Sequence, residues 1–158
     1  MAHDTGAQSR AYWLLGSLVI VHVTGEETED RFCLVEFLSP PDDMPPLHVH
    51  RHDSQTTYVL EGEVTFYLPG ESRVLGAGEC IHQPPGIPQT ERVTSSDPAR
   101  MVDVNSPAGF ERFVAAAGEP TQSLTLPPPP KEEADFEQLA TLAGVHGIDI
   151  VGPPGALP

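Results

Sequence analysis

Positive charge is scarce in this chain. Eight Lys and Arg residues stand against 23 Asp and Glu residues, which gives a formal net charge of −15 at pH 7 over 158 residues. A charge of this sign repels the phosphates of nucleic acids and anionic lipid headgroups. We therefore expect neither a nucleic acid nor a membrane as partner, and an acidic, well-solvated surface.

Cysteine is also rare, with Cys33 and Cys80 alone. Two cysteines outside a Cys-x-x-Cys pattern do not resemble the disulfide framework of a secreted protein or a redox motif. Each lies in an apolar segment, where a free cysteine behaves as a small buried hydrophobic side chain. A cytoplasmic location is the expectation.

The longest apolar run covers residues 12–23 and is interrupted by Gly16, Ser17 and His22. It is too short to span a bilayer, and neither a basic leader nor a small-residue cleavage site accompanies it. The run predicts an early strand. An apolar strand of this kind is consistent with a homodimer and equally with a sheet inside one chain.

Proline and glycine are abundant, at 18 and 14 residues, and they separate short apolar runs. This punctuation predicts eight to ten short strands in a single all-β domain, a sandwich or small barrel. The predicted strands cover residues 18–23, 31–38, 48–50, 56–60, 63–68, 73–75, 80–83, 90–94 and 100–105, and residues 148–151 could add an edge strand.

Four regions follow from the pattern. Residues 1–10 are polar and predict a mobile arm. Residues 11–118 predict the barrel, closed by a helix that Ser106 caps and Gly118 ends. Residues 119–130 end in four prolines and predict an extended linker. Residues 131–158 predict a helix ending at Gly144 and a tail, which we expect to pack on the barrel or on a neighbouring subunit.

The most informative motif is a pair of histidines at alternate positions. Residues two apart in a strand point to the same face, so His48 and His50 are expected side by side. Gln55 and Gly62 follow this pair, and a second group contains Gly78, Pro84, Gly86 and Gln89.

These spacings resemble the two motifs of the cupin superfamily, Gly-x5-His-x-His-x3–4-Glu-x6-Gly and Gly-x5-Pro-x-Gly-x-x-His. The similarity covers roughly residues 11–118, and the chain resembles small bacterial single-domain cupins of the quercetin dioxygenase-like type. It implies a double-stranded β-helix, or jelly-roll barrel, with one or two short C-terminal helices. It also implies four metal ligands, at His48, His50, Gln55 and Gln89 in this numbering. Two of the four are amides here, and Asp43 lies near the position of the opening Gly.

Replacing a carboxylate and an imidazole by neutral amides removes charge and two strong donors from a metal site. We therefore expect no obligatory cofactor, and at most a weakly bound divalent transition metal at these four residues. His52 and Asp53 are alternative ligands if the strand continues past His50.

Three functions remain open. The first is an enzyme that uses His48 or His50, with His82 as a further candidate, for acid/base cyclisation, isomerisation or dehydration of a small polyketide, aromatic or nucleoside-like molecule. Gln55, Gln89, Trp13 and Tyr67 would then contact the substrate. The second is a metal-dependent, quercetinase-like dioxygenase, and the third is a non-catalytic small-molecule binder. A core in which these polar groups merely bond one another is the structural alternative.

Overall fold

The computed structural model describes residues 10–158, so the predicted arm at residues 1–10 lies outside it except for Arg10. Within the described residues the chain forms twelve strands and three short helices. In chain order they are β1 (Ala11–Leu14), β2 (Ser17–Val23), α1 (Gly25–Thr28), β3 (Cys33–Ser39), β4 (Pro46–His50), β5 (Ser54–Glu61), β6 (Glu63–Leu68), β7 (Glu71–Gly76), β8 (Cys80–Gln83), β9 (Pro88–Val93), β10 (Ala99–Ser106), α2 (Phe110–Ala117), β11 (Glu119–Pro120), α3 (Phe136–Val145) and β12 (Ile148–Pro154).

The strands form two antiparallel sheets that enclose a common interior. One sheet has the order β11-β1-β2-β3-β10-β5-β8, and the other has the order β12-β4-β9-β6-β7. This is the double-stranded β-helix that the sequence motifs predict. The chain passes between the sheets at short turns, one of which shows why Gly62 is required. Gly62 has φ +83°, and a Cβ there would lie 2.9 Å from the Cα of Ala99.

The predicted early strand is in fact a hairpin. Residues 12–23 divide into β1 and β2 at Leu15 and Gly16, which both have positive φ. β2 pairs with β1 on one side and β3 on the other, and β1 pairs with β11. Both backbone edges of β2 are therefore used inside the chain, and the homodimer stays a prediction.

Apolar side chains fill two parts of the interior. One cluster includes Phe66 and contains side chains from each of the strands β5 to β10. A second cluster joins β2 and β3 to α2 through Val19, Val35 and Val114, and includes the buried Cys33. Burial raises the pKa of the Cys33 thiol to about 12. The prediction of burial is wrong for Cys80, which is exposed because it lies on the outward-facing side of β8.

Both longer helices begin later than predicted. Ser106 remains the last residue of β10, and its hydroxyl donates to the Arg31 carbonyl, so it does not cap α2. Gly109 occupies the N-cap position instead. In α3 the N-cap is Asp135, whose carboxylate accepts from the backbone N–H of Gln138 at 3.0 Å. A capping Asp accepts a hydrogen bond from a backbone N–H of the first turn that has no partner within the helix. This hydrogen bond fixes the start of the helix.

The C-terminal tail lies against the barrel. β12 pairs antiparallel with β4, which places Ile148 opposite His50 and Ile150 opposite His48. α3 contributes Ala143 to a third buried cluster, together with Phe113 of α2 and Ile148. The tail therefore covers the strand that carries the histidine pair. No helix within residues 10–158 is both long and apolar enough to cross a lipid bilayer.

Candidate active site

A cavity of about 870 Å³ opens between the two sheets beneath the C-terminal tail. Small-molecule sites have volumes of about 300–1,000 Å³, so this cavity has the size of a ligand site. Polar side chains in its lining include His48, His50, Gln55, Glu91 and Asp103, which we call the polar end. The remaining wall is largely apolar and aromatic, and the tail contributes residues 127–130, Phe136 and Leu139 to it.

His48 presents a neutral imidazole to the cavity. Its Nδ1 lies 2.8 Å from the Pro46 carbonyl oxygen, which can only accept, so Nδ1 carries the proton and donates. The other ring nitrogen, Nε2, then carries a lone pair. Burial, followed by the neighbouring His50, lowers the pKa of His48 to about 4. The ring is therefore uncharged at neutral pH.

His50 is held in place by a carboxylate. Its Nδ1 lies 3.1 Å from Oδ2 of Asp53, and Asn105 Nδ2 donates to the same oxygen at 2.8 Å. Burial opposes the charge on Asp53, but these two hydrogen bonds hold its pKa below the usual value. Asp53 is thus an ionised acceptor that orients His50 rather than a ligand in the cavity, and the two imidazole rings lie 5.2 Å apart.

Gln55 is bound at both ends of its amide. Its Nε2 donates to Oδ2 of Asp103 at 3.2 Å, and its Oε1 accepts from Asn105 Nδ2 at 3.4 Å. Asp103 also accepts from the Thr57 hydroxyl at 2.6 Å. One hydrogen-bond network therefore connects His50, through Asp53, Asn105 and Gln55, to Asp103.

Asp103 and Glu91 are cavity-lining carboxyl groups that the motif analysis does not predict. Burial raises the pKa of Asp103 to about 6. Burial, together with the charges of Asp103 and Asp43, raises the pKa of Glu91 to about 8, so Glu91 is mainly protonated at neutral pH. Glu91 follows Gln89 by two residues, and strand alternation alone could have found it. No local signal marks Asp103, which reaches the site by the pairing of β10 with β5.

Gln89 is directly opposite His48 in the β4–β9 pair, and it is 2% exposed. Its Oε1 has no hydrogen-bond partner among the described residues. Gln83, opposite Gln55, is equally buried, and neither end of its amide has a partner there. Neither residue lines the main cavity itself. Both are buried on the inner face of the barrel, next to residues that do line it.

The other candidates are distributed over both faces of the barrel. Trp13 lines the cavity, and its indole N–H donates to the Thr125 carbonyl at 2.9 Å. The expectation that His82 lines the cavity is wrong. His82 is exposed on the outer face of β8 and its Nδ1 lies 2.9 Å from the Thr56 hydroxyl. Tyr67 faces outward as well, because it alternates with the buried Phe66 on β6.

The donor set does not fit a tightly held transition metal. Gln55 already uses both ends of its amide within the protein, and Gln89 is a neutral donor outside the cavity wall. His52 does not replace them, because β4 ends at His50 and His52 is exposed. Among residues 10–158 no three His, Cys, Asp or Glu side chains are grouped as a metal site would require. Replacing the carboxylate of the motif by the amide of Gln55 and the third imidazole by that of Gln89 weakens the affinity of the two remaining imidazoles for a metal.

Comparison with known proteins identifies similarities along most of the chain. Residues 35–105 match the family model Cupin_2, described as a cupin domain. Over 128 residues the chain is 30% identical to quercetin 2,3-dioxygenase of Bacillus subtilis (strain 168). The alignment covers 81% of this chain and 38% of that protein, so the chain spans well under half of the relative's length.

Solved structures share the fold at lower identity. An RmlC-like cupin from Shewanella frigidimarina superposes with a TM-score of 0.54 at 22% identity, covering 68% of this chain and 92% of that one. KdgF from Halomonas sp. gives a TM-score of 0.52 at 21% identity, and the superposition covers 58% of this chain and 79% of that one. At these identities the likeness concerns the fold alone.

Proposed function

This chain is a member of the cupin superfamily, and from that premise we propose that it is an enzyme acting on a small organic molecule by acid/base chemistry, without an obligatory tightly bound metal. The reaction class is cyclisation, isomerisation or dehydration. The substrate is a small molecule of the polyketide, aromatic or nucleoside-like kind that a partly aromatic cavity of about 870 Å³ accommodates.

One observation carries this proposal. Both histidines donate from Nδ1 to a fixed acceptor, Pro46 for His48 and Asp53 for His50, and both rings line the cavity. In its neutral form each ring therefore presents a basic Nε2 to a bound molecule. An imidazole held in one tautomer by a hydrogen bond at its other nitrogen is the usual arrangement of a general base.

The two histidines have different roles in this proposal. His50 takes the role of the base, because the Asp53 carboxylate that accepts from its Nδ1 stabilises the imidazolium that forms when Nε2 takes a proton. His48, whose pKa is about 4, stays neutral and accepts a hydrogen bond from the substrate. This division assigns proton transfer to His50 and orientation to His48.

Glu91 supplies the matching acid. Its raised pKa, about 8, keeps a proton on the carboxyl group at neutral pH. A proton removed by His50 and a proton returned by Glu91 balance an isomerisation or a loss of water, and no oxidant is needed. Gln55, held between Asp103 and Asn105, lines the cavity and positions a polar group of the substrate. The tail limits access of bulk water.

The test is a comparison of three alanine variants. Candidate substrates are incubated with the protein and products are identified by mass spectrometry. His48→Ala and His50→Ala should each lower turnover by about 10²–10⁴-fold, the usual contribution of general acid/base catalysis. His82→Ala is the matched control, since His82 is exposed on the outer face. Equal turnover in all three would overturn the proposal, and binding without turnover would favour a non-catalytic binder.

The similarity to quercetin 2,3-dioxygenase over 81% of the chain favours one second candidate, a metal-dependent dioxygenase. Metal analysis of protein purified without chelator separates the two. The first proposal expects little bound ion in the parent and near-stoichiometric ion in a Gln55→Glu, Gln89→His double variant. One transition-metal ion per parent chain, with consumption of dioxygen, would put the dioxygenase first.

A further inference from the structure

The two histidines present hydrogen-bond acceptors to the cavity. The Nδ1–H groups of His48 and His50 are already donated to Pro46 and Asp53, so the neutral rings offer only lone pairs at Nε2. A buried acceptor without a donor is costly, by about 1–3 kcal/mol for a neutral group, so such a surface favours a ligand that brings donors.

The polar end of the cavity carries no fixed positive charge. Of the described residues that line the cavity, Lys131 is the only Lys or Arg, and it is followed by Glu132 and Glu133, which line the cavity too. The polar end holds the carboxyl groups of Glu91 and Asp103 instead. A carboxylate or phosphate placed there would be desolvated without a counter-charge, which is unfavourable.

Aromatic side chains in the cavity lining, one of them beside His50, favour a ligand that contains a ring. Phe37 and Phe110 lie with their centroids 6.1 Å apart, and Phe110 also contacts the His50 ring at 5.7 Å. Both phenylalanines line the cavity, as does Trp13. Flat side chains of this kind pack well against a flat apolar ligand.

We propose that the ligand of this cavity is an uncharged, ring-containing molecule that presents hydroxyl or amine donors to Nε2 of His48 and His50, and that anionic molecules are rejected. The inference rests on the proposed function in that it concerns the same site. It concerns binding alone and requires no turnover. A failure of catalysis in the alanine variants and a failure of donor preference are therefore separate results.

The test uses three naphthalene probes of similar shape in isothermal titration calorimetry. 1,3-Dihydroxynaphthalene carries two donors that are not adjacent and so do not chelate a metal ion. 1,3-Dimethoxynaphthalene carries the same oxygens without donors, and 2-naphthoate carries a negative charge. We expect the diol to bind at least about tenfold more tightly than either other probe, as one or two net hydrogen bonds of about 1 kcal/mol each would give.

A variant tests whether His48 accepts a hydrogen bond from the diol. His48→Phe keeps an aromatic ring but removes Nε2, and should reduce the ratio of diol to dimethoxy affinity by about threefold, the loss of one modest hydrogen bond. His82→Phe is the matched control on the outer face and should leave the ratio unchanged. If His48→Phe does not fold by thermal melting, the comparison of probes on the parent protein decides. Equal affinity of diol and dimethoxy compound, binding of 2-naphthoate as tight as the diol, no binding by any probe, or an unchanged ratio in folded His48→Phe would each overturn the inference.

Discussion

Nδ1 of His50 lies 3.1 Å from Oδ2 of Asp53, and Asn105 holds that same oxygen at 2.8 Å. The carboxylate therefore has a fixed position from which it selects the tautomer of His50. Asp53 touches the proposed base and does not line the main cavity, so its role in the proposed reaction is to position His50.

Asp53→Asn should disturb His50 and leave His48 unchanged. The neutral amide no longer stabilises an imidazolium, and its NH2 group can force the other tautomer. We expect turnover to fall by about 10–100-fold, the usual cost of losing a group that orients an active imidazole. Long-range ¹H–¹⁵N spectra of ¹⁵N-histidine-labelled protein measure the tautomers directly.

His48 provides an internal control in those spectra. The Pro46 carbonyl fixes its tautomer independently of Asp53, so His48 should be protonated at Nδ1 in both parent and variant. A parent spectrum in which His50 is protonated at Nε2 alone would contradict the assigned hydrogen bond.

Gln55→Glu tests why an amide occupies this position. In the parent, Gln55 Nε2 donates to Asp103 at 3.2 Å. The substitution replaces that donor by a carboxylate oxygen, so two acidic groups face each other. We expect the free energy of unfolding at pH 7.5 to fall by about 2 kcal/mol, since a buried hydrogen bond is lost and like charges are added.

The loss should shrink at pH 5. Asp103, with a pKa of about 6, is then mainly protonated and can donate to the new carboxylate. Gln138→Glu, on the exposed surface of α3, is the control and should change stability little at either pH. Urea unfolding of the three proteins at both pH values gives the comparison. A loss that is equal at pH 5 and 7.5 would contradict the assigned contact.

How far the sequence predicts this site depends on the range of the interactions involved. The His48–His50 pair is local, because two-residue alternation along one strand fixes a common face. The inward direction of Gln55 and Gln89 follows from motif spacing. The local pattern predicts the wrong face for His82. A shift of one residue along a strand moves every side chain to the other face, and pairing with β5 determines which residues of β8 face inward.

Long-range pairing also explains why the sequence predicts neither the position of Asp103 nor the start of α2. Asp103 comes opposite Thr57 only when β10 pairs with β5, two segments far apart in sequence. The start of α2 likewise depends on the bond from Ser106 to Arg31, a tertiary contact that competes with the local capping signal. Local pattern therefore predicts the barrel and half of the polar site, and tertiary contacts determine the rest.

Glu91 should make stability depend on pH in a definite direction. Its pKa is about 8 in the folded chain against 4.5 as the ordinary value. The unfolded chain therefore releases this proton first. The contribution of Glu91 to stability is fully present below pH 4.5 and is lost as the pH rises through 8.

Comparison with Glu91→Gln isolates this effect, since the amide does not titrate. Between pH 5 and pH 8.5 the parent should lose on the order of 2 kcal/mol of unfolding free energy relative to the variant, allowing for partial exposure to the cavity. Glu26→Gln, at an exposed position in α1, should show no such relative change. A parent that gains stability relative to Glu91→Gln over this range would contradict a raised pKa.

Trp13 anchors the tail over the cavity through its bond to Thr125, and this anchor can be tested at a single peptide bond. The chain contains one lysine, Lys131, in the tail segment that lines the cavity. Endoproteinase Lys-C therefore cuts this protein at one place, and the rate of that cut rises when the segment leaves the barrel. Trp13→Phe removes the hydrogen bond of 2.9 Å and part of the ring contact.

We expect Trp13→Phe to raise the rate of cleavage at Lys131 by about fivefold, because local opening becomes easier by roughly the 1 kcal/mol of one hydrogen bond. Tyr67→Phe, an aromatic substitution on the outer face of β6, should leave the rate unchanged. Mass spectrometry of the fragment 132–158 measures the cut. A saturating ligand, held between the tail and the histidines, should slow cleavage in the parent. If cleavage in Trp13→Phe is no faster than in Tyr67→Phe, the indole does not retain the tail.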